Sequence, residues 1–171
     1  MAGIPINPGS DADRENIKLA TSRNTPIPNF RRRERPPEAL KAARSIVLEG
    51  HPEARPRSLT ATYNCIGMAF ANRRTWIEPE HVPMILADDG YAEVAVPAAV
   101  MPGDLVIYQD PAGEITHVAV VVSNRPNLEN GSSNILVLSQ WGLDGEYLHD
   151  YTDVPHLLGK PVKFYSERRR L

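Results

Sequence analysis

The order of the hydrophobic patterns predicts an α+β fold, with helices first and an antiparallel sheet after them. In the first half, apolar residues recur at helical spacing, at Leu40, Ala43 and Val47 and again at Ile66, Ala69 and Phe70. From Met101 onward they fall in short blocks bounded by turn residues: Leu105–Tyr108, Ile115–Val122 and Ile135–Leu138. The first two blocks are joined by Asp110-Pro111-Ala112-Gly113, a turn that makes them antiparallel neighbours. A chain of 171 residues suits one domain of ordinary size with a real hydrophobic core.

Taken in order, residues 1–36 read as a basic, Pro-rich arm that wraps the domain. They hold Pro5, Pro8, Pro26, Pro28 and Pro36 and the cluster Arg31-Arg32-Arg33-Glu34-Arg35. Within them only Asp11 to Ala20 has the makings of a short helix, with Ser10 or Asp11 as its cap. The domain proper is expected over 37–171. Pro36-Pro37 give a rigid start to a helix running to Leu48, and Gly50 ends it. His51 to Ser58 reads as a loop. Asn64 is placed to cap a second helix, which puts Cys65 in its first turn. Residues 73–100 are mixed, with a short strand expected from Tyr91 to Val96. Pro102-Gly103-Asp104 is a turn into the first strand of the sheet, and a last short strand is expected from Pro161 to Tyr165.

Composition excludes several classes. Apolar residues at 42% and charged residues at 23% are ordinary for a globular chain, and no apolar run reaches the eighteen residues of a membrane span. Met1 to Ser10 show no basic start followed by an apolar stretch, so the expectation is a cytoplasmic protein, or one exported without a cleaved signal peptide. The net charge of −2 points to neither nucleic acid nor membrane. Residues 1–60 are basic, with eleven Lys/Arg against seven Asp/Glu, and the rest of the chain is acidic. The Arg31–Arg35 cluster has no interleaved aromatics, so no nucleic-acid partner is expected. One Cys excludes an internal disulfide, and the scattered His residues show no ligand pair at short spacing, so neither a metal nor another cofactor is expected.

A lone Cys is ordinarily a packing residue, but this one opens a helix, where the dipole favours a thiolate. A catalytic thiol also needs an imidazole. Of the five His, His51 and His81 sit beside prolines in loops, and His149 and His156 lie in the irregular C-terminal stretch. Only His117 stands at the entry of a strongly apolar strand, where a polar ring needs a partner or a cleft.

The run Pro102-Gly103-Asp104-Leu105-Val106-Ile107-Tyr108, followed by Thr116-His117-Val118-Ala119-Val120-Val121-Val122, resembles the central strands of the NlpC/P60 and CHAP peptidases. In that superfamily a Cys at a helix start lies upstream of a Pro-Gly-Asp strand and the catalytic His opens the next strand. Asn64-Cys65 and His117 stand in the same order here, and the likeness covers roughly residues 58–141. The resemblance implies a papain-like core, Cys65 as nucleophile and His117 as its base. The residue that orients the imidazole sits near the end of the following strand, which here points to Gln140. Ser139 would face the other way, and His149 is a second candidate if the chain folds back after Gly142.

The chemistry implied is acyl transfer on a peptide, isopeptide or peptidoglycan-like amide, with a thioester on Cys65. The oxyanion donor is expected from the Cys65 backbone N–H, assisted by Tyr63 or Asn64. Deamidation or acyl transfer to another amine would use the same pair. The rival from another class is a non-catalytic binding or scaffold domain on the same core, which Gln140 and the basic arm favour.

Overall fold

The computed structural model describes residues 16–95, 97–126 and 132–168. It is a mixed α+β fold in which short helices accompany a seven-stranded antiparallel sheet. The helices are α1 (Pro37–Gly50), α2 (Cys65–Phe70) and α3 (Val82–Asp88). The strands are β1 (Arg55–Ser58), β2 (Ala92–Glu93), β3 (Leu105–Gln109), β4 (Ile115–Pro126), β5 (Ser133–Gln140), β6 (Glu146–Asp150) and β7 (Lys160–Ser166). Their order across the sheet is β1-β6-β5-β4-β3-β7-β2, so β3 to β6 form a meander with β7 and β1 added at its two sides.

The meander is where the apolar blocks fell. Leu105, Val106, Ile107 and Tyr108 of β3 pair with Val120, Ala119, Val118 and His117 of β4, and successive residues alternate between the two faces. One face carries Leu105, Ile107 and Val118 and is covered by Ile66 of α2 and Ile85 and Leu86 of α3. The other carries Val106, Tyr108, Ala119, Val121, Ile135 and Val137 beneath Tyr151, Val154 and Phe164. At the far side, Val47 of α1 packs with Ala54, Trp141 and Tyr147.

Several elements differ from the sequence expectation. His51 to Ser58 was expected to be a loop, yet 55–58 form an edge strand. Arg55-Pro56-Arg57-Ser58 has no apolar alternation, and β6 supplies its pairing, with Arg55 opposite Leu148. The Glu146–Asp150 strand was likewise unsigned, because it buries polar side chains that need distant partners. Helix α3 forms in the mixed stretch, started by Pro83 in its first turn. Of the strand expected from Tyr91 to Val96 only Ala92–Glu93 pairs, against Ser166 and Tyr165, and Val96 lies outside the described residues. The helix expected over Asp11–Ala20 begins outside the described residues, and residues 16–20 are not helical.

The described part of the arm is fastened to the body. Ile27 is buried, Thr21 and Thr25 donate to the Asp88 carboxylate (2.8 and 2.6 Å), and Phe30 bridges to Trp76. The Thr25 hydroxyl first, and the Thr21 hydroxyl second, lower the Asp88 pKa. Arg32 lies over the Trp76 ring at 4.5 Å from its centroid.

Candidate functional site

The site is built on the start of α2. Asn64 caps the helix, its Oδ1 accepting from the Gly67 N–H at 2.8 Å and from the Ile77 N–H at 3.2 Å. Its Nδ2 donates to the Ile77 carbonyl at 2.7 Å, so one buried side chain both starts the helix and ties it to the chain ten residues beyond the cap's turn. Replacing Asn64 with Ala removes all three bonds. We expect a loss of about 2–4 kcal/mol, combining a lost cap with buried groups left unpaired. In thermal unfolding followed by circular dichroism, an unchanged midpoint would contradict this.

Cys65 is the first residue of α2 and is 6% exposed. Burial pushes its thiol up to about 11, against the opposing pull of the backbone N–H groups of Val118, Ile66 and Cys65 itself. The Val118 contact has a structural origin. Val121 of β4 donates to Asp104 at 2.8 Å, on the β3 side, so alternation turns the Val118 N–H toward β5. On that side the β4–β5 ladder begins only at Val120 opposite Leu138. Two residues earlier, where Gln140 would face Val118, the strands have parted, and the Val118 N–H meets the Cys65 thiol instead.

His117 is adjacent in the chain and fully buried. It shares the sheet face of Tyr108, whose ring it meets edge-on at 5.1 Å between centroids, whereas Val118 faces α2. Neither ring nitrogen has a hydrogen-bonding partner among the described residues. Burial first, and repulsion from His149 second, pull the imidazole down to about 3. Thiol and imidazole are therefore both neutral at physiological pH, and no hydrogen bond joins them in this conformation.

The remaining predicted residues are engaged elsewhere. Gln140 is fully buried on the side of α2. Its Nε2 donates to the carbonyls of Thr60 (2.7 Å) and Gly142 (3.0 Å), while its Oε1 is buried without a partner among the described residues. It makes no hydrogen bond to His117. The Tyr63 hydroxyl donates to Glu146 at 3.1 Å and lies 3.3 Å from the Ser58 hydroxyl, and burial raises its pKa. Asn64 is spent on the cap. Neither side chain is placed as an oxyanion donor here.

Two networks join residues that the sequence named singly, Tyr63, Ser139 and His149, to partners it did not indicate. Glu146, almost fully buried, is held by Arg73 Nε at 2.7 Å and by Tyr63, beside the α2 start. On the opposite face, Ser139 and His149 Nε2 are 2.8 Å apart, and Trp141 Nε1 donates to the Ser139 hydroxyl at 2.9 Å. His149 Nδ1 lies 2.7 Å from the Asp150 carbonyl, which only accepts. The proton is thus on Nδ1, and Ser139 donates to Nε2. Ser139 and Gln140 do face opposite ways, as strand alternation requires.

Among the described residues no group of three His, Cys, Asp or Glu side chains is placed to hold a metal ion, and no helix is long and apolar enough to cross a membrane. No protein-family model, curated protein or solved structure matches the chain.

Proposed function

We propose that the chain is a cysteine hydrolase of amide bonds on a papain-like core, with Cys65 as nucleophile and His117 as base. The observation that carries this reading is the Cys65 thiol at a capped helix start, set on the N–H of the residue next to His117 where β4 and β5 part. Backbone N–H groups of Val118, Ile66 and Cys65 face the sulfur, and in this reading the His117 ring must leave the Tyr108 face to reach it, beside the end of the β4–β5 ladder. A buried imidazole with no partner among the described residues is costly, a cost that functional groups commonly carry.

In the reaction His117 takes the thiol proton as the sulfur attacks the amide carbonyl, and it passes that proton to the departing amine. The thioester left on Cys65 is then released to water. The Cys65 backbone N–H is the expected oxyanion donor. Release of ammonia from a Gln side chain, or transfer to a second amine, would follow from the same thioester. A specific observation favours a second reading, a binding or scaffold domain: Cys65, His117 and Gln140 share no hydrogen bond, and Gln140 is held by Thr60 and Gly142.

The rate of Cys65 alkylation by iodoacetamide between pH 4 and 9 separates the two. A catalytic pair labels with an apparent pKa below the ordinary value of about 8.5, and His117→Ala abolishes that reactivity. A thiol that stays inert across the range in both proteins, yet labels normally when unfolded, supports the binding domain.

A further inference from the structure

We infer that the cavity between α3 and strands β3 and β7 is a binding pocket for an apolar side chain flanked by amide groups, as in a short neutral peptide. The cavity measures about 380 Å³, within the range of small-ligand sites. Its walls are apolar, with Leu86 and Ala87 from α3 and Ile107 and Ile115 from the sheet. Three polar side chains line it, Gln109, Tyr91 and Tyr165, and no hydrogen bond among the described residues engages any of them. A Gln amide both donates and accepts, and each phenol does the same, which matches the donors and acceptors of two peptide groups. Burial lifts the Tyr91 phenol to about 12, so it keeps its proton at physiological pH.

Charge decides against an ionic ligand. Among the described residues the one cation in the lining, Lys163, is already paired with Glu93 at 2.9 Å. Asp89 and Glu167 act electrostatically on Tyr91, which disfavours a carboxylate. Position links the pocket to the proposed chemistry. Its lining residue Ile107 pairs with Val118, whose N–H points away from β3 toward Cys65, so pocket and thiol share one sheet face on either side of β4, about two strand spacings or roughly 10 Å apart. The pocket itself stands on its own lining. Only the statement that its occupant belongs to the cleaved substrate rests on the amide-hydrolase reading.

Titration of the full chain carrying Cys65→Ala with N-acetyl-L-phenylalaninamide tests binding without chemistry, read by NMR at the Gln109 side-chain amide and the Ala87 methyl. Saturable shifts with a millimolar Kd are expected. N-acetylglycinamide, which lacks the side chain, and N-acetyl-L-phenylalanine, which carries a carboxylate, should bind at least about tenfold more weakly. Ala87 is exposed, so Ala87→Trp fills the cavity mouth without disturbing the core and should abolish the shifts; Gln109→Leu should weaken them severalfold. Absence of saturable shifts, shifts that survive Ala87→Trp, or tighter binding of the carboxylate would overturn the inference. Each result is independent of whether Cys65 alkylates as a catalytic thiol.

Discussion

Lowering the pH from 7 to 4 is expected to strip about 3 kcal/mol of stability from the protein through His117 alone. The group is a base whose pKa falls from 6.5 to about 3 on folding, because burial penalises its charged form and His149 adds repulsion. Above pH 6.5 both the native and unfolded chains hold it neutral, and it makes no difference to pH dependence. Between 6.5 and 3 the unfolded chain takes up a proton that the native chain refuses, so stability declines by about 1.4 kcal/mol per pH unit. His149, also lowered chiefly by burial, steepens the decline. His117→Leu should remove most of this dependence. It should also raise stability at pH 7 by about 1–3 kcal/mol, since an apolar group of similar size replaces an imidazole that no described residue hydrogen-bonds. Urea unfolding monitored by Trp fluorescence at pH 7.5, 6, 5 and 4 measures both effects. Destabilisation by His117→Leu at pH 7 would mean that the ring is hydrogen-bonded in solution.

A substitution that stabilises the fold while removing the proposed base is what a functional imidazole predicts, because active groups are commonly kept at a cost in stability. A purely structural histidine predicts the reverse. The stability measurement therefore bears on function without any substrate in hand.

What could be read from the sequence was local. The strands β3, β4 and β5 announced themselves as apolar blocks between turns, and the Asn64 cap followed from a polar residue ahead of helical spacing. What could not be read depends on partners far along the chain. Tyr63 is turned from the thiol by Glu146, 83 positions away, and Gln140 is claimed by the carbonyl of Thr60, 80 positions away. Strand β6 is invisible by composition because Glu146 and His149 are buried only by virtue of Arg73 and Ser139. The face on which His117 lies was open for the same reason. A period of two shows that His117 and Val118 point oppositely, but only the docking of α2 decides which of them meets Cys65.

Gly67→Ala is expected to cost at least about 3 kcal/mol, lowering the thermal midpoint by roughly 6–12 °C. The residue lies in α2, one turn after the cap, and a Cβ there would come within 1.6 Å of the Thr75 carbonyl oxygen and 2.8 Å of its carbon. Both are backbone atoms, so no rotamer change makes room. Thr75 cannot retreat freely, because its side chain is fully buried and donates to Asn29 at 2.9 Å. The following residues are pinned as well, Trp76 to Phe30 and Ile77 to Asn64. Pushing 75–77 away from α2 would therefore pull on the Asn64 cap and on Cys65 behind it. Two readouts should move together: the melting midpoint falls, and Cys65 in the variant alkylates faster than in the native chain, with no dependence on His117. A Gly67→Ala protein with native stability would show that α2 does not sit this close to the Thr75 backbone, and the placement of the thiol at the β4–β5 gap would fall with it.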